Sequence, residues 1–136
     1  MGPSGSGKTT LLNLIGGRMK NGKFTGHRMI NNKRYEGESY DAFMASQGFV
    51  EQTDTFIETM TVRESLLFAG YLRLPNTFSL KDKISRVNTV LHVVGLHPAS
   101  DVFIGGNGSG IVGISGGQRR RLSIATELLR LPSILF

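Results

Sequence analysis

Apolar residues recur at helical spacing in three stretches of the chain. The stripes are Leu11, Leu12, Leu14 and Ile15; Ile84, Val87, Leu91 and Val94; and Leu122, Ala125, Leu128 and Leu129. They predict helices near 8–16, from about Ser79 to Gly95, and from Ser115 until Pro132 stops the last one. We expect the middle stripe to lie in the core.

A serine or threonine three residues before Glu, Asp or Gln marks three helix starts. The pairs are Thr61 with Glu64, Ser79 with Asp82, and Ser115 with Gln118. The first pair predicts a further helix over 62–73. The last pair leaves two glycines, Gly116 and Gly117, at an amide-rich helix start that is open to an anion; a well-capped surface helix is the alternative.

Short strands are predicted between the helices. Residues 23–30 and 33–36, with Asn31-Asn32 as their turn, predict a small antiparallel pair, and further strands are predicted near 47–51 and from Ser133. Residues 105–113 are glycine-rich and predict a loop. We expect these strands to belong to an α/β fold, in which a parallel sheet is covered on both faces.

Composition is that of one domain. The chain has 136 residues, 39% of them hydrophobic, and no cysteine, which excludes disulfides and a thiolate metal site. No apolar run approaches the ~18 residues of a membrane span. The net charge is +6, and the densest basic run is Arg119 to Arg121. We expect this run to form a solvated or partner-facing helix surface; attraction of phosphate is a weaker alternative, and nucleic acid is not expected as a partner.

A complete G-x-x-x-x-G-K-[ST] phosphate loop spans Gly2 to Thr9. Its expected nucleotide-binding residues are Gly2, Pro3, Ser4, Gly5, Ser6, Gly7, Lys8, Thr9 and the following Thr10. Glycines let backbone amides approach phosphate oxygens, Lys8 supplies a charge to the terminal phosphates, and Thr9 supplies a hydroxyl to Mg²⁺. A chance glycine-rich turn is a weak alternative.

Three segments together resemble the ATP-binding cassettes of ABC proteins, in order and spacing. They are the phosphate loop, Gly48-Phe-Val-Glu51-Gln52-Thr-Asp54, and Ile114-Ser-Gly-Gly-Gln118 with the helix that follows. The resemblance makes Ser115, Gly116, Gly117 and Gln118 the signature motif. It makes Gln52 the glutamine of the Q-loop, a catalytic and metal-facing candidate, since an amide can accept from water and face a metal without adding charge.

The stretch from Thr61 to Pro75 is similar to the G subfamily of ABC transporters, the half-size and pleiotropic drug resistance type. One departure is Gln118, where many members have Glu. The resemblance implies a P-loop ABC cassette with a mixed sheet core and a helical subdomain. We interpret 1–60 as phosphate loop, antiparallel strands and Q-loop, 61–113 as helical subdomain, and 114–136 as signature helix and start of the Walker B strand.

The resemblance also implies a mechanism and partners. ATP and Mg²⁺ are the expected cofactors, and a second nucleotide-binding domain would face this one head to tail, so that Ser115 and Gly117 contact the γ-phosphate held by the partner. A transmembrane domain of the same transporter is the other expected partner. The cassette would then be membrane-associated and lie on the cytoplasmic side.

Hydrolysis in this family needs two carboxylates on the strand that begins at Ser133, and a histidine further downstream. A strand is also expected before Met1, so we expect the chain to be truncated at both ends, poorly soluble alone and without meaningful ATPase activity, although its parent protein should be an ATP hydrolase. Glu127 lies on the wrong element to substitute. His27, His92 and His97 are expected to be ordinary histidines.

Two alternatives to an exporter remain open. One is a soluble ABC ATPase that acts on ribosomes or DNA, and the other is a catalytically dead nucleotide-binding fragment. The transported substrate stays open as well.

Overall fold

The computed structural model of the chain describes residues 1–19, 23, 25–27, 29, 30, 32–34, 42–44, 46–106 and 108–136. The chain divides into two compact units. The first unit comprises Met1–Phe49 with Ser133–Phe136, and the second comprises Val50–Pro132.

In its described residues, the first unit contains one helix of eight residues, a short helical stretch at 42–44 and 46, and two pairs of short strands. Helix α1 is Lys8–Ile15, and β1 (Met29–Ile30) pairs antiparallel with β2 (Lys33–Arg34). Strand β3 (Gln47–Gly48) pairs in parallel with β4 (Ile134–Leu135). The antiparallel pair and the strands near 47 and after Ser133 are present as predicted, but each strand is only two residues long. Residues 24, 28, 31, 35 and 36 of the predicted strands lie outside the described residues.

The parallel pair is joined to the end of α1 within the first unit. The side-chain amide of Gln47 donates to the carbonyl of Gly16 at 2.7 Å, and Gln47 is buried. The Arg18 guanidinium lies 4.1 Å from the centre of the Phe49 ring, whose centre is 6.2 Å from that of Phe136. These contacts hold the carboxyl end of β3 beside the helix that follows the phosphate loop.

Helix α1 buries none of its residues in the described structure. Leu11, Leu12 and Ile15 are 56%, 45% and 43% exposed. Apolar side chains on one helix face normally pack against a sheet or a second helix. This apolar face of α1 is therefore only partly covered in the described structure.

The second unit is built from three helices and one turn of 3₁₀ helix. Helix α2 is Val62–Arg73, α3 is Leu80–Val93, the 3₁₀ turn is His97–Ala99 and α4 is Gly116–Leu128. Each of the three α-helices begins at a capping box, at Thr61, Ser79 and Ser115. The predicted helix starts are therefore confirmed, because a capping box is a local feature that four consecutive residues determine.

Ten apolar residues of the second unit form its core. They are Val62, Leu66, Val87, Val90, Leu91, Leu96, Ile104, Leu122, Ala125 and Leu129. The predicted stripe of α3 is partly wrong, since Ile84 is 39% exposed whereas Val90, which lies outside that stripe, is buried. The face of α3 that packs on α2 and α4 is rotated toward Val90. Among the described residues, no helix has both the length and the apolar character needed to cross a membrane.

Candidate nucleotide-binding site

The phosphate loop turns into α1 through glycines with left-handed backbone. Gly5 and Gly7 both have φ of +81°, and Gly7 is the N-cap residue of α1. Only glycine adopts this conformation without steric cost. The cap makes no side-chain hydrogen bond and the first turn of α1 contains no acidic residue. No acidic side chain of the first turn therefore neutralises the positive end of the helix dipole.

The loop is also tight at its first glycine. A Cβ atom on Gly2 would lie 2.7 Å from the Ser6 hydroxyl oxygen. The backbone amide of Ser6 donates to the carbonyl of Pro3 at 3.3 Å. A side chain at position 2 would require the Ser6 hydroxyl to move.

The side chain of Lys8 folds over the loop. Its ammonium group donates to the carbonyls of Gly2 at 2.7 Å and Pro3 at 2.6 Å, and to the Ser6 hydroxyl at 3.3 Å. The charge of Lys8 is thereby held on the concave path of the loop, in an exposed position. Thr9 and Thr10 follow in the first turn of α1 and are exposed as well. These features suit the binding of a polyphosphate chain, namely glycines in the left-handed conformation, a helix start without a side-chain cap and an exposed lysine.

The predicted signature residues form a second open helix start, at the beginning of α4. The backbone amide of Ser115 donates to Gln118 Oε1 at 2.8 Å, and the Ser115 hydroxyl accepts from the backbone amide of Gln118 at 3.3 Å. A Cβ atom on Gly116 or Gly117 would meet no atom within 4 Å. Since no internal contact requires glycine at these positions, their lack of side chains leaves the helix start accessible.

The arginine run behind the signature binds backbone carbonyls of the same unit. Arg119 donates to Ile104 and Gly105, Arg120 to Glu51, and Arg121 to Val94 and Gly95. Arg119 and Arg120 are half-buried and Arg121 is exposed. The run is therefore only partly solvated, since the side chain of Arg120 is 43% exposed while its donors also bind a carbonyl of the protein; a partner-facing role stays a prediction. Through these five contacts the arginines satisfy backbone acceptors outside α4.

Gln52 lies in an exposed bend whose two flanks are bonded to α4. On one side, Arg120 donates to the carbonyl of Glu51. On the other, Asp54 Oδ1 accepts from Arg120 Nη1 at 3.1 Å and from the Ser123 hydroxyl. The segment that carries Gln52 is thus attached to the signature helix. Sequence reasoning missed Asp54 and Ser123, because they are 69 residues apart and one sequence gives no signal for that pairing.

The carboxyl end of α4 is held by two further arginines. Arg86 donates to the carbonyls of Leu128 at 2.5 Å and Leu129 at 3.2 Å, and burial lowers the pKa of Arg86. Arg73 Nη1 lies 2.5 Å from Glu127 Oε1. A cation at the carboxyl end of a helix complements the helix dipole. Helix α4 is therefore anchored at this end, and Glu127 has an ion-pair partner of its own.

The predicted site residues fall into both units. The phosphate loop belongs to the first unit, whereas Gln52 and the signature residues belong to the second. Within the described residues, no group of three or more His, Cys, Asp or Glu side chains could hold a metal ion. The ligands of Mg²⁺ predicted from the sequence are a hydroxyl and an amide, Thr9 and Gln52, which are oxygen donors of the type this cation prefers.

Comparison with known proteins gives consistent matches. The family described as ABC transporter matches residues 1–136. The chain is 48% identical over 136 residues to ABC transporter G family member 24 of Dictyostelium discoideum, covering 100% of this chain and 11% of that protein. It is 41% identical over 136 residues to ABC transporter G family member 22 of Arabidopsis thaliana, covering 99% of this chain and 17% of that protein.

A third relative and one solved structure extend the comparison. The ABC transporter CDR4 of Candida albicans is 40% identical over 136 residues, 99% of this chain and 9% of that protein. The structure of cbiO1 from Clostridium perfringens, part of the ABC transporter complex cbiONQ, superposes with a TM-score of 0.76 at 23% identity, over 99% of this chain and 50% of that one. This match confirms the predicted fold class, an α/β ABC cassette.

The chain spans only a small part, 9% to 17%, of the length of the three relatives above. The family match nevertheless covers every residue of the chain, and the two glycine-rich helix starts are among the three segments by which the sequence resembles ATP-binding cassettes. On these grounds the chain belongs to the ABC transporter family.

Proposed function

We propose that the chain forms the ATP-binding part of an ATP-driven membrane transporter of the G subfamily. The observation that carries the proposal is the start of α1. There, Gly5 and Gly7 in the left-handed conformation precede a helix without a side-chain cap, and Lys8 lies over the loop. The similarity to G family members, at 41% and 48% identity, supports the subfamily. The names of those relatives favour a transporter over a soluble ABC ATPase.

ATP with Mg²⁺ is the proposed ligand, and binding it requires three kinds of group from this chain. The amides of the loop and of the first turn of α1 would bind phosphate oxygens, over residues 2–10. Lys8 would exchange its carbonyl partners for the terminal phosphates, since a charge-assisted bond to an anion is stronger than one to a carbonyl. The Thr9 hydroxyl and the Gln52 side-chain oxygen would face Mg²⁺.

The open start of α4 supports a second nucleotide-binding domain as partner. Ser115, Gly116, Gly117 and Gln118 present a helix start with no side chain over its glycines. In a head-to-tail pair, this start would receive the γ-phosphate of the ATP held by the partner cassette. We further propose that the cassette binds the transmembrane domain of the same transporter and lies on the cytoplasmic side of the membrane.

For hydrolysis, we propose that the whole protein is an ATP hydrolase and that Glu127 is not its water-positioning carboxylate. Glu127 is paired with Arg73 at 2.5 Å near the carboxyl end of α4. A carboxylate held in an ion pair is poorly placed to orient water. Gln52 can orient a water molecule but adds no charge, so it serves as a positioning group.

The test compares two lysine variants of the full-length native protein. Lys8→Ala removes the ammonium group from the loop, and we expect the affinity for a fluorescent ATP analogue to fall about tenfold or more, since hydrogen bonds to charged groups are worth about 1.5–3 kcal/mol. Lys81→Ala, an exposed lysine of α3, is the matched control and should bind as the wild type does. Equal binding by Lys8→Ala and the wild type would refute the proposed site.

A further inference from the structure

The carboxylate of Glu58 lies against the glycine-rich loop that leads into the signature helix. Glu58 Oε2 accepts a hydrogen bond of 2.6 Å from the backbone amide of Ser109, which is 51 residues away in sequence. The backbone carbonyl of Glu58 accepts from the amide of Gly105 at 2.9 Å. One residue thus holds both the entrance of this loop, through Gly105, and its far side, through Ser109.

Glycines make the close approach of the carboxylate possible. A Cβ atom on Gly106 would lie 2.0 Å from Glu58 Oε1, and one on Gly108 would lie 3.2 Å from Glu58 Oε2. Gly106 also has φ of +155°, and Gly110 has φ of +67°. Backbone amides that point at one oxygen form an anion-binding concavity, and here the amide of Ser109 points at Glu58 Oε2. In this loop the anion is a side chain of the protein itself.

The charge of Glu58 is favoured by its surroundings. The hydroxyl and then the backbone amide of Ser109 lower the pKa of Glu58, with smaller contributions from the Gly108 amide and from Arg119. Arg119 lies in the first turn of α4 and donates to the carbonyls of Ile104 and Gly105. The loop is therefore held between an anion on one side and a cation of the signature helix on the other.

The base of the loop is continuous with the N-cap of α4. The amide of Gly106 donates to the carbonyl of Ile111 at 3.2 Å, and the amide of Ile114 donates to that of Phe103 at 3.1 Å. Ile114 directly precedes Ser115 in the chain. A shift of the far side of the loop is thus transmitted through one residue to the cap of the helix.

We propose that Glu58 is a positioning residue for the signature motif. Its carboxylate serves as the internal anion of the loop at 105–113 and thereby fixes the positions of Ser115 and Gly117. The inference rests on the proposed function, in which these two residues bind the γ-phosphate held by the partner cassette. Glu58 itself touches no nucleotide in this proposal. It acts through the order of the loop.

Two measurements on the full-length protein test the proposal with Glu58→Ala and Glu58→Gln. The first is amide hydrogen exchange of the peptide that covers 105–113, which does not depend on ATP. We expect exchange to rise about tenfold in Glu58→Ala and less in Glu58→Gln, whose amide oxygen still accepts a bond but carries no charge. Asp101→Ala, which removes an exposed carboxylate from the same unit, is the control and should leave this peptide unchanged.

The second measurement separates turnover from binding. In Glu58→Ala we expect kcat for ATP hydrolysis to fall about tenfold, because misplacing a binding group by a fraction of an ångström costs rate, while binding of a fluorescent ATP analogue by the phosphate loop stays within about twofold. Formate, a free carboxylate, should restore part of the lost rate in Glu58→Ala, whereas chloride at equal ionic strength should not.

Three results would overturn the role of Glu58. The first is unchanged hydrogen exchange of the loop in Glu58→Ala. The second is faster exchange of the loop with unchanged kcat. The third is a loss of kcat that formate does not relieve, together with an equal loss of ATP binding. Failure of the proposed function looks different. In that case the wild type shows no Lys8-dependent ATP binding, while the exchange measurement still reports whether Glu58 holds the loop.

Discussion

Replacing Asp54 by alanine tests the attachment of the Gln52 segment to the signature helix. In the wild type, one oxygen of Asp54 accepts from Arg120 Nη1 at 3.1 Å and from the hydroxyl of Ser123. The side chain of Asp54 is 14% exposed and that of Arg120 is 43% exposed. The variant therefore leaves one half-buried hydroxyl and one half-exposed guanidinium without this acceptor.

The expected magnitude follows from these exposures. A hydrogen bond from Ser123 to a charged group contributes about 1.5–3 kcal/mol, whereas the half-exposed pair with Arg120 is screened by solvent and contributes about 0–1 kcal/mol. Arg120 also keeps its bond to the carbonyl of Glu51. We expect a local loss of about 2 kcal/mol, which corresponds to a roughly 30-fold rise in the open population of the segment.

Hydrogen exchange of the peptide that covers 50–56, in the full-length protein, measures this change. Ser123→Ala should raise exchange of the same peptide by less, and the double variant should fall short of the sum of the two free-energy changes, because both single variants remove the same bond. Asp101→Ala is the control, since Asp101 contacts Arg63 and not α4. Unchanged exchange in Asp54→Ala, or additive effects in the double variant, would refute the attachment.

The remaining two predictions concern the stability of the second unit. Leu91→Ala truncates a fully buried side chain and should lower the free energy of unfolding by about 2–5 kcal/mol. The control Leu72→Ala, at a residue that is 71% exposed, should change it by less than ~0.5 kcal/mol. Equal effects of the two variants in thermal denaturation would contradict the assignment of Leu91 to the core. Hydrogen bonds from Ser109 and from Thr61 lower the pKa values of Glu58 and Glu64, respectively. The contribution of these bonds to stability is therefore complete above the ordinary glutamate pKa of about 4.3, and it is lost as the pH falls through the lowered pKa values of the folded protein. Hydrogen exchange of the peptide 105–113 that does not rise in acid, after correction for intrinsic exchange rates, would contradict this.

Local features of the fold were predictable from the sequence. The capping box at Thr61 and Glu64 predicted the observed Val62–Arg73 helix, because both bonds of the box form within four residues. The phosphate loop was predictable for the same reason, since its glycine spacing is a local pattern. The resemblance to ABC cassettes then related two separate glycine-rich segments to one family, which no local pattern could do.

Features that depend on long-range contacts were not predictable. Glu58 and Ser109 are 51 residues apart, and the contact between them depends on how the loop at 105–113 folds back. The carbonyl partners of the arginine run were not predictable either, because charge along a sequence does not reveal which carbonyls lie nearby. The exposure of Ile84 has a similar origin, because helical spacing gives a stripe but not the angle at which neighbouring helices cover it.

The central claim is that the start of α1 binds ATP while the start of α4 completes the site of a second cassette. A structure of the full-length protein with Mg²⁺ and a non-hydrolysable ATP analogue tests it most directly. The account predicts phosphates against Lys8 and the Gly7 amide of one copy, and the γ-phosphate against Ser115 of the other cassette. Nucleotide bound elsewhere, or bound at Lys8 with the start of α4 facing solvent in a closed dimer, would contradict it.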